Sequence, residues 1–371
     1  MLYDNITEEP ITSEDVPAQE SIVEQPLEDA QPPQTENQHP ATEVDQSWRT
    51  RHTAKPHGAT EVDQGWRQRA AGMLDPNSAE NKAKANHFAD LAEFKEAAAQ
   101  LTVLTSSEGT QYTVKGVVSK DGGQAIVLLC AAPDGSNVVV KVHYEPLNSK
   151  QSAALSRARV LEYMGTPEGQ NYTVAVMEIG WVMFGDSKYY FEVMPFCEEG
   201  DVSDDGQFSF EEIVAFVKQI NEAFNSIHRS QIIHGDIKPQ NIYKVDGKYR
   251  IGDFGTAKAT NENTIAQTTT VARSRGYTAP ELLLAVSDDP TVYYTERIDY
   301  YSLGVTVASL YEGHFIYEGV EDRIVSQCVQ RGKLPFVRVD AHREHIENLV
   351  EGLCRFDPQH RFGYNDVCEW L

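Results

Sequence analysis

The sequence predicts an α+β fold in which strands come first and helices follow, with a disordered segment ahead of both. Residues 112–118, 125–131 and 137–143 alternate polar and apolar residues or run apolar, as strands do. Residues 210–229 instead repeat apolar side chains at helical spacing. Residues 1–75 are rich in Glu, Gln, Pro and Thr and contain too few apolar residues to offset the entropy lost on ordering. Strands followed by helices indicate an α+β protein.

Composition excludes several classes of partner and site. The 371 residues carry a net charge of −24, so phosphates of nucleic acids or anionic lipids would be repelled. No apolar run approaches the ~20 residues of a membrane span, and the acidic N-terminus is unlike a signal peptide. The five cysteines include no close pair, which suits free thiols in a reducing compartment. We therefore expect a soluble, cytoplasmic protein with no nucleic-acid partner and no membrane span.

Two polar motifs lie close together near the middle of the chain. The first reads His-Gly-Asp-Ile-Lys-Pro-Gln-Asn at 234–241, and the second reads Ile-Gly-Asp-Phe-Gly at 251–255. Phosphoryl transfer requires a carboxylate that orients and deprotonates a hydroxyl, cations that neutralise phosphates, and ligands that hold those cations. Asp236 would be the carboxylate and Lys238 would reach the transferred phosphate. Asn241 and Asp253 would hold Mg²⁺, which prefers oxygen ligands.

These two motifs resemble the catalytic loop and the metal-binding turn of eukaryotic-type protein kinases. The resemblance covers about residues 105–371 and implies the two-lobed protein-kinase fold, with ATP and Mg²⁺ as cofactors. The small β-rich lobe, with one regulatory helix, would span 102–195 and the large helical lobe 196–371. Glu281 in Ala-Pro-Glu matches the family's closing motif, and Arg361 stands where the family places its buried partner. Asp299 matches the residue that anchors the catalytic loop.

The resemblance also predicts the nucleotide site. Gly122 and Gly123 belong to a turn in the place of the glycine-rich loop, although Lys and Ala replace two of its glycines at 120 and 125. Val127 follows that turn, and 14 residues later Lys141 stands inside an apolar strand. A lysine there requires a charged partner. Glu162, on a helix predicted over 149–164, is the natural partner, with Glu168 as an alternative.

The strand predicted over 189–195 leads to the hinge that would hold the adenine. Met194 would be the gatekeeper, and the backbone groups of Pro195 and Cys197 would face the adenine ring. The run after Tyr190 is almost wholly apolar, which fits a buried strand better than a surface strand.

Two departures from the family pattern bear on regulation and specificity. Gly235 stands where many regulated kinases carry an arginine that pairs with a phosphate on the activation segment. The enzyme is therefore either constitutively competent or gated by its N-terminal extension or a partner. Lys238, together with Ser274 three residues before Tyr277, resembles the Ser/Thr branch of the family. The His-Gly-Asp sequence, the Gly-Gly nucleotide turn and the compact domain together resemble those of bacterial Ser/Thr kinases.

Three functions compete. An active Ser/Thr kinase with protein substrates is favoured because Lys141, Asp236, Asn241 and Asp253 are all present. A pseudokinase scaffold, which binds nucleotide and a partner without catalysis, is the alternative that the altered glycine turn favours. The third function, phosphorylation of a small molecule, fits poorly with the Ala-Pro-Glu motif.

The region before the kinase-like part contains a predicted helix and a repeat. Residues 76–101 are predicted to contain an amphipathic helix, because Ser78 is a typical cap and apolar side chains from Phe88 to Leu101 form one stripe. This helix would pack on the small lobe or bind a partner. Further upstream, Ala-Thr-Glu-Val-Asp-Gln-Ser-Trp-Arg at 41–49 returns at 59–67 with Gly in place of Ser. Thr42 and Thr60 each precede an Asp by three residues. Once phosphorylated, each would resemble the peptides that forkhead-associated domains bind. Alternatively, the tryptophans of the repeat are the anchors.

Overall fold

A computed structural model describes residues 88–119, 125–144, 151–260, 276–283 and 294–371, except for the side chains of 151–155 and 322. The predicted 1–75 tail, its repeat and the Gly122–Gly123 turn lie outside these residues. No helix in the described ranges is both long enough and apolar enough to cross a bilayer.

Six antiparallel strands form one sheet in the order β1-β2-β3-β4-β6-β5. The strands are β1 (Val103–Thr105), β2 (Gln111–Ser119), β3 (Ala125–Ala131), β4 (Asn137–His143), β5 (Glu178–Phe184) and β6 (Ser187–Pro195). The strands predicted from alternation are confirmed as β2, β3 and β4, and the predicted hinge strand is confirmed as β6. The β6 strand ends at Pro195, where the small lobe was predicted to end.

A short helix covers one face of this sheet. α1 (Leu91–Ala98) begins after Asp90, whose side chain accepts a hydrogen bond from the Glu93 amide at 2.9 Å. Phe94 is fully buried against Tyr189, with ring centroids 5.2 Å apart. The predicted packing of this segment on the sheet is confirmed. The prediction of one helix that runs through Phe88 was wrong, because Phe88 precedes α1 and Asp90 caps it. The predicted cap, Ser78, lies outside the described residues.

Two helices follow β4 in the chain, α2 (Gln151–Met164) and α3 (Pro167–Tyr172). The predicted helix over 149–164 is confirmed from Gln151. Val160, Leu161 and Met164 on α2 are buried and join a hydrophobic cluster that continues into the helical part of the chain. This helix therefore links the sheet to the region of the two polar motifs.

The helical part is built around α4 (Phe210–Arg229) and α6 (Arg297–Glu312). A capping box formed by Ser209 and Glu212 starts α4, and its predicted apolar positions are all buried. Nearly every side chain of α6 is buried, so this helix forms the centre of the packing. The remaining elements are α5 (Pro280–Leu283), α7 (Asp322–Arg331), α8 (Arg343–Leu353), α9 (Tyr364–Trp370), β7 (Ile232–Ile233), β8 (Ile242–Val245), β9 (Lys248–Ile251) and β10 (Lys258–Ala259).

Candidate active site

The first polar motif forms a loop between β7 and β8 that Asp299 of α6 holds from below. The Asp299 carboxylate accepts hydrogen bonds from the amides of His234 at 2.9 Å and Gly235 at 2.7 Å, and it lies 2.8 Å from His228 Nε2. Burial alone would raise the pKa of Asp299, but the hydrogen bond with His228 and the other nearby donors lower it below its usual value. Asp299 therefore stays ionised, and its predicted anchoring role is confirmed.

The loop brings Asp236, Lys238 and Asn241 together. Lys238 Nζ lies 2.8 Å from Asp236 Oδ2. Asn241 Nδ2 donates to the Asp236 carbonyl oxygen at 2.7 Å and to Oδ2 at 3.2 Å. The Asp236 side chain is therefore oriented by two neighbouring donors, as a general base requires.

The second motif is attached directly to this loop. The Gly252 amide donates to the Asn241 carbonyl oxygen at 2.8 Å, which places Asp253 beside the catalytic loop. Asp253 adopts a left-handed backbone conformation (φ 52°), and its carboxylate pairs with Lys141. Burial would raise the pKa of Asp253, but the charge of Lys141 and its hydrogen bond outweigh burial, so the pKa is lowered. The Asp253 carboxylate is thus held in the charged form.

Asn241 and Asp253 fit the ligand set that Mg²⁺ prefers. Because Asn241 Nδ2 donates to Asp236, its amide oxygen is the atom that could bind a cation. The described residues contain no cluster of three or more His, Cys, Asp or Glu that could hold a metal alone. Mg²⁺ at nucleotide sites commonly takes only one or two protein ligands and completes its shell with phosphates and water.

Two of the predicted nucleotide residues, Val127 and Lys141, lie on the same face of the sheet, and the predicted partner of Lys141 requires a correction. Val127 is directly opposite Lys141 in the β3–β4 pair, so their side chains share a face. The structure corrects the predicted Lys141–Glu162 pair: Lys141 contacts Asp253, and Glu162 lies on the exposed side of α2. The alternative, Glu168, is also exposed.

The predicted hinge follows β6. Met194 lies opposite Val139 and is half-buried, and Pro195 is exposed at the end of the strand. The half-buried Cys197 comes next, and burial raises the pKa of its thiol, so it is mostly protonated at neutral pH. The adenine-facing roles of these three residues stay predictions.

Two charged residues at the cleft escaped the sequence analysis. Glu192 on β6 is buried opposite Lys141, and Arg157 on α2 pairs with it. A sequence signal existed, because Glu192 interrupts the apolar run of β6 as Lys141 interrupts that of β4. The argument that a charge inside an apolar strand requires a partner applies equally to both.

Gly235 adopts a left-handed conformation (φ 77°) that favours glycine. A Cβ atom placed on it would overlap the hydroxyl of Tyr294, which is buried beside the loop. Tyr294 therefore occupies the space that a side chain at 235 would take. Lys258 Nζ lies 4.5 Å from the centre of the Tyr294 ring.

The closing motif is tied to the end of the chain. Arg361 donates to Glu281 Oε1 at 2.7 Å and to Oε2 at 2.9 Å, a bidentate ion pair that confirms the predicted partnership. The guanidinium also donates to the carbonyl oxygens of Arg355, Arg297 and Phe356. This cluster fixes α5 against the segment before α9.

Comparison with known proteins identifies the same part of the chain. A family model described as the protein kinase domain matches residues 121–370. The chain is 30% identical to cGMP-dependent protein kinase 2 of Rattus norvegicus over 221 residues. This alignment covers 58% of this chain and 27% of that protein.

Two further relatives come from a bacterium and a yeast. A probable serine/threonine-protein kinase of Clostridium acetobutylicum is 35% identical over 118 residues, covering 32% of this chain and 17% of that protein. Serine/threonine-protein kinase SCH9 of Saccharomyces cerevisiae is 31% identical over 163 residues, covering 44% of this chain and 19% of that protein. The chain thus spans 27% or less of the length of each of these three relatives.

Proposed function

The chain belongs to the protein kinase family, and from that premise we propose that it is an active serine/threonine kinase that transfers the γ-phosphate of ATP to protein hydroxyls. The observation that carries this proposal is the contact between Asp236, Lys238 and Asn241 beside the Lys141–Asp253 pair. The proposed base, two lysines and the two proposed oxygen ligands therefore lie on adjoining segments, and phosphoryl transfer requires such a set.

Each group has a distinct task in the proposed reaction. The substrate hydroxyl oxygen forms a bond to the γ-phosphorus while the bond to the β–γ bridging oxygen breaks and ADP leaves. Asp236 takes the hydroxyl proton, and Lys238 contacts the transferred group. Lys141 binds the α- and β-phosphates. Mg²⁺, held by Asn241 and Asp253, would neutralise charge on the phosphates when bound.

We expect labelled γ-phosphate to appear on serine and threonine when the protein is incubated with ATP, Mg²⁺ and a mixture of protein substrates. Phosphoamino-acid analysis provides the measurement. Asp253→Ala should abolish incorporation because it removes one of the two oxygen ligands. Label on small molecules only would contradict the choice of substrate. Nucleotide binding without any transfer would favour the scaffold alternative.

For the region before the kinase domain we propose phosphorylation-dependent recruitment. Thr42 and Thr60, which lie outside the described residues, each have an Asp three residues later. Phosphorylation by this kinase or a sister kinase would create two copies of a phosphothreonine site for a forkhead-associated domain. Two sites on one chain raise the avidity for a bivalent partner.

We expect mass spectrometry after incubation with ATP to find phosphate on both threonines. A forkhead-associated domain should then bind the phosphorylated chain and lose binding when Thr42→Ala and Thr60→Ala are combined. Trp48→Ala with Trp66→Ala is the matched comparison for the rival, tryptophan-anchored mode. Binding that survives the threonine changes but not the tryptophan changes would overturn the phosphorylation model.

A further inference from the structure

A buried ion pair joins α2 to the sheet, with the positive charge on the helix and the negative charge on the strand. Arg157 of α2 contacts Glu192 of β6, and their side chains are 14% and 3% exposed. In protein kinases generally, a glutamate of this helix pairs with the strand lysine. Here the helix supplies the cation and the sheet supplies the carboxylate, while Lys141 pairs with Asp253.

The orientation of α2 about its own axis explains why the helix presents Arg157, and not Glu162, to the sheet. Arg157 shares a face with Val160, Leu161 and Met164, which are buried in the hydrophobic cluster that continues into the helical part of the chain. Glu162 lies five residues after Arg157, which is about 140° around a helix of ~3.6 residues per turn. Its side chain therefore lies on the exposed side of the helix. The only charge that α2 directs toward Glu192 among its described side chains is the guanidinium of Arg157.

Glu192 is compensated chiefly by this arginine. His143 Nε2 lies 3.5 Å from Glu192 Oε2. Burial, with the charges of Lys141 and Arg157, lowers the pKa of His143 well below its usual value, so His143 is neutral at neutral pH. Lys141 faces Glu192 across the strands but makes its ion pair with Asp253. Arg157 is thus the cation in direct contact with the buried carboxylate.

The same guanidinium reaches the metal-binding turn. Arg157 Nη1 donates to the carbonyl oxygen of Phe254 at 3.1 Å. Phe254 follows Asp253, and its ring packs on His234 of the catalytic loop with centroids 4.6 Å apart. One side chain therefore connects the helix, the sheet and the turn that carries Asp253. The planar fork of arginine suits two acceptors at once, which an ammonium group serves less well.

Resting on the proposed kinase activity, we propose that Arg157 and Glu192 are positioning residues that set the place of Asp253 through the Phe254 carbonyl. The Arg157–Glu192 pair would connect α2 to the sheet, as the glutamate–lysine pair does in other kinases, while Lys141 pairs with Asp253.

The test separates positioning from stability. Arg157→Met alone leaves Glu192 buried without its cation and should destabilise the domain. The double variant Arg157→Met with Glu192→Leu removes both charges and should recover the thermal midpoint. We expect kcat to stay about 10- to 100-fold low in the double variant, since a small misplacement costs that much. The KM for ATP should change less than kcat.

Hydrogen exchange provides a readout that does not depend on activity. We expect amides 253–256 of the double variant to exchange faster than those of the wild type, with exchange around Arg361 unchanged. Arg159→Met is the matched control, because Arg159 lies on the same helix and donates to Gln231 Oε1 at 2.7 Å. Wild-type kcat and exchange in the double variant, or an equal loss in Arg159→Met, would overturn the proposal. An inactive wild type would refute the kinase activity, while the exchange result would still decide the positioning role.

Discussion

Asp236→Ala is expected to lower kcat by about 10²- to 10⁴-fold, the contribution typical of a positioned general base. The KM for ATP should change little, because in the proposed reaction Asp236 acts on the substrate hydroxyl and Lys141 on the nucleotide. Initial rates with labelled ATP across a range of ATP concentrations give both constants. The loop itself should persist, since Asn241 holds the Asp236 carbonyl oxygen and Asp299 holds the two amides before it.

Two companion variants sharpen this measurement. Asp236→Asn keeps the size of the side chain but removes the base, so it should be nearly as inactive as Asp236→Ala. Asp186→Asn makes the same change in the exposed turn between β5 and β6 and should leave the rate unaltered. A purified Asp236→Ala protein with the wild-type rate would mean that another group takes the proton.

Breaking the Glu281–Arg361 pair from the arginine side should have the largest effect on stability. Arg361→Met leaves a carboxylate and the carbonyl oxygens of Arg355, Arg297 and Phe356 without their donor. Loss of one partner of a buried pair costs about 3–5 kcal/mol. Urea unfolding followed by fluorescence measures the shift of the midpoint.

The two partners should differ in this experiment. Glu281→Gln leaves Arg361 with its three carbonyl acceptors, so we expect a smaller loss than for Arg361→Met. Lys333→Met interrupts the exposed Lys333–Glu351 pair and should change the midpoint little. Equal losses in Arg361→Met and Lys333→Met would show that the buried pair adds no more stability than a surface pair.

Local patterns predicted the regular elements well. The strands over 125–131 and 137–143 and the helix over 210–229 begin and end where the periodicity does. In each, alternation or helical spacing reports which side chains are buried, and a cap such as Ser209 marks the boundary. The catalytic loop and the turn at Asp253 were also predicted, because their chemistry requires fixed residue types at short spacing.

The partner of Lys141 was not predictable in the same way. Spacing located α2 but not its rotation about its own axis, which depends on packing against the sheet and Phe254. Choosing Glu162 by charge alone therefore selected a residue on the outer side. Arg157 and Glu192 are 35 residues apart, and their contact exists only once β6 has paired with β4.

The overlap between position 235 and Tyr294 constrains how a phosphate-dependent switch could arise in this protein. An arginine at 235 would meet the tyrosine hydroxyl and also a backbone conformation that favours glycine. Neither obstacle disappears by a change at 235 alone, because the tyrosine side chain would have to move and the left-handed backbone at 235 would remain. A single substitution that adds an arginine at 235 would therefore place its Cβ where the tyrosine hydroxyl lies, in a backbone conformation that side chains other than glycine rarely adopt.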